Sequence, residues 1–133
     1  MGKIVVTTEM GGAAQCSPNV MRVTETGVRN VLTHVGLFKG ELAPPKHEVS
    51  VIAATRREDY HLSPAAGIYE SFFELGDEVK EGQKLGQVHF PDRYDWEPEP
   101  VTAAGSGILI CRRFPGGASR GDCVAVIARP VEV

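Results

Sequence analysis

The residues on which this sequence could build chemistry are few: one acid set against a glycine pair, four histidines and three cysteines. The acid is Glu9, in the run Thr7-Thr8-Glu9-Met10-Gly11-Gly12. Judged by its neighbours alone, a Glu ahead of Gly-Gly is a solvated turn acid. His34, His47, His61 and His89 are widely separated. His34 falls near the edge of a helix's apolar face, His47 and His61 border strands, and His89 sits at a hairpin rim, so all four read as surface residues. His89 and Asp92 have the spacing of a two-ligand bite, yet a turn containing Pro91 holds such a pair less well than a helix would. No metal site is therefore expected within the chain. Cys16, Cys111 and Cys123 make an odd count without the close pairs that clamp a metal, and they read as small buried or half-buried thiols of a reducing compartment.

Glu9 follows a stretch suited to holding it. Lys3 to Thr8 is rich in Val, Ile and Thr, which favour a pleated strand, and the lack of alternation predicts burial on both faces until Gly11-Gly12 breaks it. Ser17 ahead of Pro18 then marks a helix start, because the hydroxyl accepts from an orphan amide while proline fills a site that needs no donor. Val20, Val23, Val28, Val31, Leu32 and Val35 recur at helical spacing, and Gly36 supplies the left-handed residue that ends the helix. One strand and one helix cannot bury each other, so this pair either packs on the remainder of the chain or is the tail of a larger α/β domain. The stiff linker Glu41-Leu42-Ala43-Pro44-Pro45 favours the second reading and sets the expected boundary, 1–42 against 43–133.

Beyond the linker the pattern becomes all-β. Residues Ser63 to Val88 return roughly forty positions later as Thr102 to Ile127: Gly67 falls on Gly107, Gly76 on Gly116, and Gly82 on Gly121 once one residue is dropped. Strands are expected at 47–55, 60–62, 67–73, 84–90, 101–103, 107–113 and 123–129, with the two copies packed face to face as one small barrel. The Pro-rich, aromatic stretch 91–100 joins the copies and predicts an exposed excursion holding Trp96, the single tryptophan. Cys111 and Cys123 lie on opposite arms of the second copy and could face each other across it.

The balance of charge narrows the partners. A net charge of -3 with dispersed Lys and Arg offers no basic stripe, so nucleic acid is not expected as a partner. No apolar run approaches the ~20 residues that span a bilayer, and the start lacks a signal peptide's apolar stretch. Val6 stands where a myristoylation signal wants Ser or Thr. A cytoplasmic protein without a membrane partner is expected.

Two resemblances sharpen the reading. Pro64-Ala-Ala-Gly67, Leu75-Gly-Asp-Glu-Val79, Gly82-Gln-Lys-Leu85 and the second Ala-x-Gly unit resemble the barrel-sandwich hybrid domains that carry lipoyl or biotinyl groups. Those carriers modify a lysine at the tip between the halves, and no lysine lies from Gln87 through Gly121, so a carrier or adaptor barrel is the alternative reading. Thr7-Thr-Glu-Met-Gly-Gly12, then Gly27-Val-Arg-Asn-Val-Leu32 and His34-Val-Gly36, then a proline-bearing joint and the barrel, together resemble the C-terminal portion of the succinylglutamate desuccinylase/aspartoacylase family, above all its N-acetyl-diaminobutyrate deacetylase subgroup. That resemblance implies a mainly β chain: a barrel-sandwich hybrid barrel preceded by the strand-helix remnant of an α/β domain like that of zinc carboxypeptidases. It implies a zinc-dependent amidohydrolase removing an acyl group from an N-acyl amino acid, with Glu9 as the catalytic proton carrier. The family's metal pattern, a His-x-x-Glu pair and a later His, stands before this Glu, where the sequence has only eight residues. The resemblance therefore implies zinc in the intact enzyme, none bound by this chain, and no activity of this chain alone. Lys3 to Thr8, robbed of neighbours, is expected to pair with a second copy or to fray; in a third reading, a plain interaction module, it is the docking edge.

Overall fold

In a computed structural model of the chain, residues 2–12, 16–45 and 49–131 are described. They form two compact units, Met1–Val49 and Ser50–Val133.

In the first unit, helix α1 spans Pro18–His34. It starts as its sequence dictates: the Ser17 hydroxyl accepts from the Val20 N–H at 3.3 Å and Pro18 takes the first position. It ends where Gly36, at φ +79°, lets the chain turn back. Asn30 fastens the following segment, its side chain donating to Ala43 O at 2.8 Å and accepting from Ala43 N at 2.9 Å. No residue of α1 is buried, and the valines of its apolar face stand partly or largely open. The expected strand at Lys3 to Thr8 does not form. Among the described residues nothing offers it a ladder, and Ile4, Val5 and Val6 are 74%, 80% and 65% exposed. Its composition suits a buried strand, but pairing needs a neighbour that these residues do not supply.

The second unit is mainly β. Its strands are β1 Ile52–Ala53, β2 Tyr60–Leu62, β3 Gly67–Ser71, β4 Glu78–Val79, β5 Lys84–His89, β6 Glu99–Thr102, β7 Gly107–Arg112, β8 Gly117–Ala118 and β9 Cys123–Pro130. One antiparallel sheet runs β1-β9-β7-β4 with β2 also on β9; the other runs β6-β5-β3-β8. His47 and its neighbours 46 and 48 lie outside the described residues, so of the strand expected at 47–55 the pairing seen is Ile52 and Ala53 on β9.

The repeat is real, and its copies interlock. β3 pairs β5 within the first copy as β7 pairs β9 within the second, but β8 closes the sheet of the first copy and β4 that of the second. The same exchange holds outside the ladders. Ser63 N donates to Asp122 O and Gly121 N to Ser63 O, both at 2.8 Å, while Ala103 N donates to Gln83 O at 2.8 Å and Gly82 N to Ala103 O at 2.9 Å. A side-chain Cβ on Gly67 would meet His89 O at 2.2 Å and Val88 Cγ1 at 2.7 Å; on Gly107 it would meet Ala128 O at 2.3 Å and Ile127 Cγ2 at 2.7 Å. Glycine is required at both places because the backbone of the paired neighbouring strand comes too close for any other residue. Between the sheets lies one core: Tyr69, Leu85, Val88 and Val101 from one side, Val79, Leu109, Val124, Ala125 and Ile127 from the other. The sheets thus bury their apolar residues against one another, and β9 is buried along five consecutive residues, Val124 to Ala128.

Candidate functional site

Glu9 sits on the rim of an open groove of about 560 Å³ in the first unit. One wall is the apolar face of α1, with Val20, Val23, Val28, Val31 and Leu32; the other is the segment from Val6 to Gly11. The Thr24 hydroxyl donates to Met10 Sδ at 2.8 Å, which holds the residue after Glu9 against the helix. Gly11 turns the chain away at φ +82°. The Glu9 carboxylate has no hydrogen-bond or ionic partner among the described residues. It lines a groove whose walls are mainly apolar.

The histidines do not join it. His34 closes α1 and is exposed, and His89 lies in the second unit on β5. His89 Nε2 meets Glu70 Oε2 at 2.8 Å, and Gln87 Nε2 donates to the same oxygen at 2.8 Å. These two contacts, His89 first, hold the Glu70 carboxyl below the usual range. His61 corrects the surface reading: it is 5% exposed in the middle of β2. Its Nε2 accepts from Ala104 N at 3.0 Å, which leaves the proton of the neutral ring on Nδ1, a buried atom with no partner among the described residues. Burial pushes the His61 pKa down.

Beside it, Asp59 is 1% exposed; its Oδ2 accepts from Thr55 N and Arg56 N, each at 2.9 Å, and its Oδ1 pairs with Arg129 Nη1. The Arg56 N–H and the Arg129 guanidinium outweigh burial and hold its carboxyl below the usual range. The signal that could have found His61 lies in the repeat itself. The offset sets His61 on Val101, a core residue, so one copy predicts burial for the other.

The cysteines also differ from expectation. All three are free thiols and exposed. Desolvation of the Cys123 sulfur still raises its pKa. Trp96 stands in the excursion between the copies, half exposed, edge-on to Phe90 with centroids 5.3 Å apart. Among the described residues no group of three His, Cys, Asp or Glu side chains could hold a metal ion. The donor set needed for zinc, three converging ligands, is therefore not offered by these residues, and a zinc site does not fit them.

The chain's homologues are members of the succinylglutamate desuccinylase/aspartoacylase family, of which it matches the C-terminal portion. An N-alpha-acetyl-L-2,4-diaminobutyric acid deacetylase of Halomonas elongata is 37% identical over 131 residues, which is 98% of this chain and 38% of the relative. The product-bound structure of the ectoine utilization protein EutE (DoeB) from Ruegeria pomeroyi is 35% identical, with a TM-score of 0.87 over 96% of this chain and 38% of that one. A succinylglutamate desuccinylase from Silicibacter is 35% identical, with a TM-score of 0.86 over 97% of this chain and 39% of that one. No protein-family model matches. The chain spans less than two fifths of the length of each of these relatives. Among its described residues no helix is long and apolar enough to cross a membrane.

Proposed function

We propose that this chain supplies the C-terminal part of a cytoplasmic zinc-dependent amidohydrolase that removes an acyl group from an N-acyl amino acid, and that alone it hydrolyses nothing. The open groove carries this reading. Val20, Val23, Val28, Val31 and Leu32 of α1 form an apolar face with no covering layer among the described residues, beside a segment rich in β-branched residues that lacks its ladder. A relative that is 37% identical extends well beyond the matched stretch, and the catalytic layer that would cover this face belongs to that extension.

In that setting Lys3 to Thr8 completes a sheet and fixes Glu9 at its end. The carboxylate accepts a proton from the attacking water and returns it to the leaving amine. The zinc implied by the resemblance would supply Lewis-acid polarisation of the amide carbonyl, and its ligands would come from outside the described residues of this chain. The second unit, read as a barrel-sandwich hybrid from its interlocked repeat, shapes access for the acyl substrate or joins subunits. Without its complement, the Lys3 to Thr8 edge is open to a second copy.

The test has two arms. The purified chain, given zinc and N-acetylated amino acids, shows neither stoichiometric metal nor turnover. Co-expressed with the unmatched 62% of the Halomonas elongata deacetylase, it restores hydrolysis. Glu9→Gln in the complemented enzyme lowers kcat by about 10²- to 10⁴-fold. Stoichiometric zinc with hydrolysis by the chain alone would overturn the proposal.

A further inference from the structure

The two ends of the duplicated unit are closed differently, and the difference exposes a pocket. The repeat sets Ala65 on Gly105 and Phe90 on Arg129. At the second copy's end the Arg129 guanidinium lies over Gly105, where an added Cβ would meet Nη2 at 2.5 Å, and its charge is matched by Asp59. At the first copy's end the excursion after β5 curls back through two turns, Arg93 N donating to Phe90 O at 2.9 Å and Trp96 N to Arg93 O at 3.0 Å. It leaves a cleft of about 400 Å³, within the size of small-ligand sites.

This cleft holds polar groups without partners. The Arg93 guanidinium stacks 4.2 Å from the Trp96 ring centre, and no carboxylate or carbonyl meets it among the described residues. Ala65 and Ala66 line the cleft, and their N–H groups have no acceptor among the described residues. Asp92 lines it as well and makes no ion pair there. Donors in a fork, two unpaired backbone amides, one carboxylate and two aromatic rings suit one chemical class.

We infer that the cleft between Ala65-Ala66 and the Phe90–Trp96 turn binds a free amino acid. Its carboxylate goes to Arg93 and the two N–H groups, its ammonium to Asp92, and its side chain lies against Phe90 and Trp96. The cleft lies wholly within Ser50–Val133 and does not depend on Glu9 or on the amidohydrolase reading.

Trp96 is the single tryptophan, so its emission reports the cleft directly. Titrating the full chain with L-leucine gives a saturable change at millimolar concentration or below. Leucinamide, lacking the carboxylate, and N-acetyl-leucine, lacking the ammonium, bind about tenfold more weakly or worse, the loss expected when one charged hydrogen bond is removed. Arg93→Gln weakens leucine by a similar factor with an unchanged far-ultraviolet spectrum, and Asp92→Asn abolishes the preference for leucine over N-acetyl-leucine. The inference fails if native chain shows no saturation, if N-acetyl-leucine binds as well as leucine, or if folded Arg93→Gln binds leucine undiminished.

Discussion

Replacing Gly107 by alanine tests one of the repeat's matched close approaches between paired strands. The new Cβ would stand 2.3 Å from Ala128 O, a backbone atom that cannot swing aside. Relieving the overlap takes about 1 Å of separation between β7 and β9, since non-bonded carbon and oxygen need more than ~3 Å. Ladder bonds near their ordinary length cannot stretch by that much and remain bonds. Losing two or three of them, at about 1 kcal/mol net each, together with the strain of overpacking, gives a cost of about 2–4 kcal/mol. For a unit of this size that lowers the melting temperature by about 8–30 °C. Gly67→Ala, with its Cβ 2.2 Å from His89 O, should lose the same amount, whereas Gly117→Ala meets nothing within 4 Å and serves as the control. Thermal unfolding followed by circular dichroism reads all three. A loss below about 0.5 kcal/mol for either closely approached glycine, or unequal losses for the pair, would refute the reasoning that the copies are built alike.

Acidification should weaken the β-unit through His61: its folded pKa lies below its ordinary 6.5, so the unfolded chain takes up the proton first. Stability is then full above pH 6.5 and falls as pH drops below it, and His61→Val, the residue of the other copy, should flatten that fall while changing stability at about pH 8 by about 1 kcal/mol or less. Denaturant melts from about pH 5 to about pH 8 measure both. Asp59 acts lower on the scale: its depressed pKa stabilises the fold above its ordinary 3.8, and that contribution is lost as pH falls through the folded value, so Asp59→Asn should blunt unfolding at strongly acid pH. Ser17→Ala should remove about 1 kcal/mol from α1 and lower the helical ellipticity of the chain, because no buried face compensates the lost cap. Val28→Asp on the groove should reduce self-association in sedimentation while abolishing complementation by the unmatched portion of a relative.

Helix α1 is legible in the sequence because its signals are local: a serine cap, a proline, apolar spacing and a terminal glycine act within a few residues. Strands β3, β5, β7 and β9 are legible for the same reason, and Tyr60–Leu62 matches residue for residue. The two-residue strands Glu78–Val79 and Gly117–Ala118 leave no trace in it, since two residues carry no period and their partners lie in the opposite copy. The segment Lys3 to Thr8 shows the converse failure. Its composition reports the surroundings it is suited to, while its structure reports the neighbours it has. Glu9 stands out by resemblance; what composition and spacing could not reveal is that it overlooks an apolar groove. His61 is misplaced because a lone histidine bordering a strand looks superficial until its counterpart Val101 is consulted.

The exchange of β4 and β8 has a consequence for how this unit can come into being. Neither half contains enough edges of its own to satisfy its backbone, so a half-length chain could reach the same arrangement only as a symmetrical pair. Fusion would then have turned an encounter between molecules into one within a molecule. It would also have freed the two halves to diverge, one end sealing itself with Asp59 and Arg129 and the other keeping its doorway.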